Sequence, residues 1–272
     1  NHHVVISWLL NESHNPVELL ETYLMSNILL DNSASPLRKA LEGSKLGTSP
    51  SPLTGLEADQ KELVFAAGLE GVSANKHFEV EELIVNCLKS LIEDGVPEDL
   101  IHSSLHQLEI RQREITGSGM PFGLQIMLNC LPACIHNDNP LEILDLDNAF
   151  NTIKENLKSE NYIESLIEKN LISNSHRLNY SLIPDSEFNR KNEEKIQQKV
   201  IEKTRDLSHK DKEDIIQLAN DLETRQNAHD DPEILPKVTK DDIPQSRTYA
   251  SPVISSNNTN SSYFYKTGTN GT

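Results

Sequence analysis

The sequence is short of cysteine, of aromatic side chains and of positive charge. It has three cysteines in 272 residues, Cys87, Cys130 and Cys134. An odd and sparse set does not make a disulfide framework. Cys130 and Cys134 stand four apart around Pro132, which is not the C-x-x-C spacing of a redox pair or a zinc ribbon. The cysteines are therefore expected as small buried apolar side chains. Lys and Arg number 25 against 42 Asp and Glu, a formal net charge of −17. That sign argues against nucleic acid or an anionic membrane as a partner and suits cationic ligands. No apolar run approaches the ~20 residues that cross a bilayer. No glycine run matches a P-loop or a dinucleotide fingerprint, and Gly117-Ser118-Gly119 lacks the spacing of a nucleophile elbow. Also missing are an initiator methionine, a basic n-region and an Arg-rich amphipathic start. The chain opens Asn1-His2-His3-Val4 and enters an apolar segment at once, which reads as an internal piece of a longer protein.

What is present is a regular alternation of apolar patterns. Val4–Leu10 is apolar apart from Ser7 and predicts a buried strand. Asn15-Pro16-Val17-Glu18 supplies a cap, a first-turn proline and a capping-box acid for a helix carrying Leu20, Tyr23, Leu24 and Ile28. Ser35-Pro36 starts a shorter helix through Leu41, ended by Gly43 and Gly47. Thr48–Gly55, rich in Ser and Pro, predicts a loop. Leu63–Val72 predicts a strand with Phe65, Ala67 and Leu69 on one face. Val80, Leu83, Ile84, Cys87, Leu88, Leu91 and Ile92 form a helical stripe ended by Gly95. Pro97 opens a helix to about Arg113, and Gly117-Ser118-Gly119 is a joint. Phe122–Cys134 predicts a buried, nearly all-apolar helix, and Asn139-Pro140-Leu141-Glu142 repeats the capping box. Leu178, Tyr180 and Leu182 alternate as a closing strand. The fold class is α+β, a small mostly antiparallel sheet with helices banked against it, over residues 1–185.

After Pro184 the composition changes. Ile196, Val200 and Leu207, then Ile215, Leu218, Ala219 and Leu222, give two narrow stripes among charges of both signs. Ser208 and Asp211 cap the second helix. Residues 186–229 therefore predict a helical hairpin laid across another domain by one seam. Residues 230–272 read as a linker, partly disordered in the Ser/Asn-rich stretch Ser255–Ser262. Tyr263-Phe264-Tyr265 predicts a strand belonging to the next domain.

One pair invites a metal. His102 and His106 share a helix face at the spacing of the inverted zinc motif H-x-x-E-H. Leu105 occupies the acid's position and can neither bind nor act as base. The pair is read as structural, with His106 in or near the core and His102 exposed. No catalytic residue and no metal ligand is assigned in this chain, and substrate-binding residues are unassigned.

Several segments, in order, resemble one family. Ser35-Pro36-Leu37-Arg38-Lys39-Ala40-Leu41 with Leu46-Gly47 and Ser51-Pro52 is similar to its SPLYKAL…GLG…SP stretch. Gly68-Leu69-Glu70-Gly71-Val72 resembles GLQGV, and Leu105-His106-Gln107-Leu108-Glu109-Ile110 resembles LHQIE. Phe122-Gly123-Leu124, His136-Asn137-Asp138-Asn139-Pro140, Leu235-Pro236 with Asp241-Asp242-Ile243-Pro244, and Thr269-Asn270-Gly271 continue the series. The family is the pitrilysin/insulinase-type zinc metallopeptidases, in the presequence protease branch. The sequence departs from the pattern at Leu56, where an aromatic is usual, and at Gly268 before Thr269-Asn270-Gly271.

The resemblance implies four homologous α+β domains, a central helical hairpin, and two halves that close around a chamber. Zinc and its H-x-x-E-H helix lie in the first domain, and an assisting Arg/Tyr pair in the last. This chain is similar to the second domain (1–185), the hairpin (186–229) and the start of the third domain (230–272). It is then expected to form chamber wall and hinge of a zinc metalloendopeptidase of the mitochondrial matrix, and to be inactive alone. The parent would degrade presequences and other short unstructured basic peptides, with zinc bound outside this chain. Its partners are those peptides and the remaining domains of the parent, with no nucleic acid and no membrane span. The alternative is a catalytically silent structural or peptide-binding homologue. On this reading His106, Glu109, Gly68 and Gly71 are structural, the two glycines marking a close approach or turn at the strand end.

Overall fold

The computed structural model describes residues 2–73, 75–114, 119–136, 139–144, 146–237, 239–243, 246, 251–256 and 261–265. Gly117-Ser118, Asn137-Asp138, Pro244 and Thr269-Asn270-Gly271, all singled out from sequence, lie outside the described residues. The chain forms two compact units that part between Pro184 and Asp185.

In the first unit, β1 (His3–Glu12) leads to α1 (Pro16–Leu30) and α2 (Pro36–Gly43). Two short strands come after them, β2 (Ser49–Pro50) and β3 (Gly55–Glu57), then β4 (Glu62–Glu70). Five helices come next: α3 (His77–Asp94), α4 (Glu98–Arg113), α5 (Phe122–Ile135), α6 (Leu146–Asn156) and α7 (Tyr162–Ile167). A π-helical turn, Glu168–Ile172, precedes β5 (Arg177–Leu182). The sheet runs β2-β4-β1-β5, with β3 also on β4, and every pairing is antiparallel. This is the α+β class expected.

Strand periodicity decides which face is covered. Val4, Ile6 and Trp8 of β1 and Phe65, Ala67 and Leu69 of β4 point to the helices, and all six are fully buried. They meet Leu24 and Ile28 of α1, Val80, Ile84 and Leu88 of α3, and Phe150 and Ile153 of α6. Side chains of this size each contribute about 1.5–3 kcal/mol by leaving water. Trp8 packs its ring 5.9 Å from that of Phe65 and donates its indole N–H to the Leu171 carbonyl at 2.8 Å. The π-helical turn thus supplies the acceptor a buried Trp needs.

Local signals set the ends. Asn15 accepts the N–H groups of Val17 and Glu18, with Pro16 at the first helical position. The reciprocal bond from Glu18 that a capping box requires is not made, so the cap is one-sided. Gly68 lies where β4 crosses β1. A Cβ there would sit 2.2 Å from the Val4 carbonyl oxygen, so only hydrogen fits. Gly71 turns the chain out of β4 at φ +69°, with Thr48 against it.

Four expectations are corrected. Thr48–Gly55 is not a plain loop, because β2 and the start of β3 fall in it and pair with β4. α5 is helical as expected but not buried: only Ala133 is enclosed, and Leu128, Leu131 and Ile135 are exposed. Of the cysteines, Cys134 is exposed and Cys87 and Cys130 are half-buried, all three as free thiols. Tyr263-Phe264-Tyr265 does not wait for a later segment. It belongs to β7 (Ser261–Tyr265), which pairs antiparallel with β6 (Pro252–Ser256).

The second unit holds those two strands and the two charged helices. α8 (Phe188–Thr204) and α9 (His209–Asn227) contain no buried residue. The predicted cap of α9 is complete: the Ser208 hydroxyl accepts the Asp211 N–H, and the Asp211 carboxylate accepts the Ser208 N–H.

Candidate functional site

α4 carries the residues that looked chemical. Its inward stripe is Ser104, Leu105 and Leu108, which turns His102, Ser103, His106 and Gln107 to solvent. His106, expected in or near the core, is exposed, because Leu105 takes the buried position beside it. The two imidazoles share a face one turn apart with no acid completing the set. Among the described residues, no group of three or more His, Cys, Asp or Glu side chains could hold a metal ion. Zinc therefore does not fit the residues present, and no chemistry is routed through it.

Glu109, one turn beyond His106, instead ties α4 to α6. Its carboxylate meets Arg113 at 3.0 Å along the helix and Lys154 of α6 at 2.9 Å. Arg113 reaches Asp147 at 2.6 Å and lies over the Phe150 ring, 5.8 Å from its centroid. Arg111 clamps Asp31, just past α1, with paired bonds of 3.1 Å. A second polar tie lies deeper. Glu164 is buried in α7, and its Oε1 accepts the Val96 N–H at 2.6 Å, holding the α3–α4 turn at Gly95. These groups position helices and face no open space in which a substrate could react.

Two surface features could receive a ligand. One is the sheet face away from the helices, where Ser7 donates to the Tyr180 hydroxyl and Leu178 and Leu182 stand exposed. The other is a groove of about 660 Å³ between α1, α5 and the segment before α6. Its floor includes Leu20, Ile143 and Ala133, and its walls include Tyr23, Leu128 and Leu131. The Tyr23 hydroxyl is held above the usual phenol range, first by burial and then by the Asp59 carboxylate, so it stays protonated and can donate. Sequence reasoning named Tyr23 as core and missed Asp59, which lies in the irregular stretch between β3 and β4. Nothing in its local sequence marks it.

The sequence also has relatives. It is 31% identical to presequence protease 1, chloroplastic/mitochondrial, of Arabidopsis thaliana, over 91% of this chain and 24% of that protein. It is 27% identical to the mitochondrial presequence protease of Yarrowia lipolytica, over 90% of this chain and 24% of the other. The chain thus spans about a quarter of the length of the curated relatives it matches. The family described as associated with the M16 peptidases of subfamily C matches residues 182–272. A solved structure described as the inactive peptidase domain of a zinc-protease candidate from Bordetella parapertussis superposes with a TM-score of 0.52. The match is 14% identical and covers 68% of this chain and 91% of that one, and it shows the fold alone. No helix among the described residues is long and apolar enough to cross a membrane.

Proposed function

We propose, from the premise that this chain belongs to the presequence protease branch of the pitrilysin/insulinase-type metallopeptidases, that it is a non-catalytic part of a peptide-degrading zinc enzyme. Residues 1–185 act as chamber wall, 186–229 as hairpin hinge and 230–272 as the approach to the next domain. The zinc and the reacting groups belong to other parts of the parent, in the mitochondrial matrix. The observation that carries this reading is a conjunction. The resemblance runs through nine-tenths of the chain, and no described cluster can hold a metal.

The substrate class follows from charge. Targeting presequences are Arg-rich, acid-poor and amphipathic. A chain with net charge −17 draws such peptides inward and raises their local concentration. His106, Glu109, Gly68 and Gly71 serve the scaffold: Glu109 through its ion pairs and the glycines through close backbone approach.

The test uses both the parent enzyme and this chain. The parent should bind zinc stoichiometrically and cleave a basic unstructured peptide, with capture weakening as salt rises. The 272-residue chain alone should do neither. Zinc and cleavage in the isolated chain would overturn the assignment. A parent without zinc or cleavage would make it a silent peptide-binding homologue, and a flat salt response would remove the electrostatic part.

A further inference from the structure

α5 is unlike the other long helices of the first unit. Its fourteen residues, Phe122–Ile135, contain no charged side chain, yet only Ala133 is buried. Leu128 and Leu131 are each 42% exposed and Ile135 59%. An apolar helix that keeps its apolar side in water marks an interaction surface. The groove beside it runs against α1 and has room for several side chains.

The lining of that groove has one charge, Asp59. No described Lys or Arg pairs with it and no described group hydrogen-bonds its carboxylate, while nearby Lys61 is engaged with Glu12 at 3.1 Å. Elsewhere in the unit, carboxylates at helix contacts are paired: Asp31 with Arg111, Asp147 with Arg113, Glu81 with Arg177. An apolar trough with a single unmatched carboxylate, a phenol donor at Tyr23 and no cation is complementary to an apolar ridge flanked by positive charge.

The geometry points to an amphipathic, Arg-bearing peptide helix as the occupant of this groove. Its apolar ridge lies on Leu128, Leu131 and Ile135, and one guanidinium meets Asp59. This is the helix-in-groove mode, with apolar anchors at i, i+3 or i+4, and i+7. A bidentate guanidinium suits a lone carboxylate better than an ammonium does. The inference rests on the peptide-handling reading above and adds a place and a recognition code. Basic peptides are held on the helical side of this unit, away from any metal, as amphipathic helices.

Binding to the 272-residue chain tests this by fluorescence anisotropy with labelled synthetic peptides. The probe is a peptide of about 16 residues, with Leu at helical spacing on one face and Arg on the other. A scrambled peptide of the same composition and one with Gln for Arg are the comparisons. The scrambled peptide should bind at least about tenfold more weakly, since it has the charge but no ridge. Asp59→Lys should weaken the Arg peptide by about five- to tenfold and leave the Gln peptide within about twofold. Leu131→Asp should weaken both, and because Leu131 is on the surface, its far-ultraviolet circular dichroism should match the parent chain.

Equal binding of ordered and scrambled peptides, or binding indifferent to both substitutions, overturns the proposal. So does self-association of the chain that Leu131→Asp abolishes, since the occupant is then a second copy. Zinc-dependent cleavage by the wild-type parent reports on the proposed function separately. Cleavage with no groove binding removes only the groove, and groove binding without cleavage removes only the enzymatic reading.

Discussion

Trp8 and Ile215 are both large apolar residues in regular secondary structure. Trp8 is fully buried, and Ile215 is 53% exposed. The contrast holds across the two units. Up to Pro184, strands with period two and helices with wide apolar stripes close on one another. Beyond it, α8 and α9 carry narrow stripes amid charge, and the paired strands β6 and β7 leave Val253, Ile254, Tyr263 and Phe264 exposed. A narrow stripe cannot enclose itself, and a two-stranded hairpin is marginal in water without a further surface. The first unit holds its fold by burial, and the second holds its helices by local bonds.

Substitutions can break or sharpen that contrast. Trp8→Ala removes the ring packing on Phe65 and the bond to Leu171, and should cost the first unit about 3–5 kcal/mol in urea unfolding. A cost below about 1 kcal/mol would place the core elsewhere. Gly68→Ala drives a methyl group into the Val4 carbonyl and should cost about 1–3 kcal/mol, with altered amide exchange along β1 and β4. Glu164→Gln keeps the shape but loses the charge in the bond to Val96, and should cost about 1–2 kcal/mol. Leu218→Ala in α9 should change unfolding by less than about 0.5 kcal/mol, since Leu218 is exposed. A large loss there would show that the second unit has a core after all.

The smallest effect is on pH. The Asp211 carboxyl is held below the ordinary Asp range by the Ser208 hydroxyl and then by the Ser208 N–H. A depressed folded-state pKa stabilises above the unfolded value, and that support is lost as pH falls through the folded one. The α9 helix signal should therefore stay level from neutral pH down to about 5 and decline below about 4. Ser208→Ala should lower that signal at neutral pH and flatten the acid step. An unchanged step in Ser208→Ala would mean that another carboxylate governs it.

Much of the fold was legible from pattern. The strand at Val4–Leu10, the Asn15 and Ser208 caps, the stripe of α3 and the alternation of β5 all follow from local chemistry. α5 was misread for a physical reason. Its composition is that of a core helix, but composition measures willingness to be buried, and burial needs a covering partner. His106 was misplaced for the related reason that Leu105 and Leu108 compete better for the inward face. The loop at Thr48–Gly55 hid β2 and β3 because two- and three-residue strands are too short to show a period. Asp59 left no trace, since a single acid between strands is ordinary until an apolar groove forms beside it.

By itself the sequence determined the element types, their order, the net acidity and the kinship with a protease branch, because each is written in local pattern or in the order of short motifs. The tertiary structure alone decided which apolar surfaces found a cover. It sealed Trp8 between the sheet and the π-helical turn, left α5 open beside Asp59, and kept both long helices of the second unit in water. Burial is a property of pairs of surfaces, and no single segment carries it.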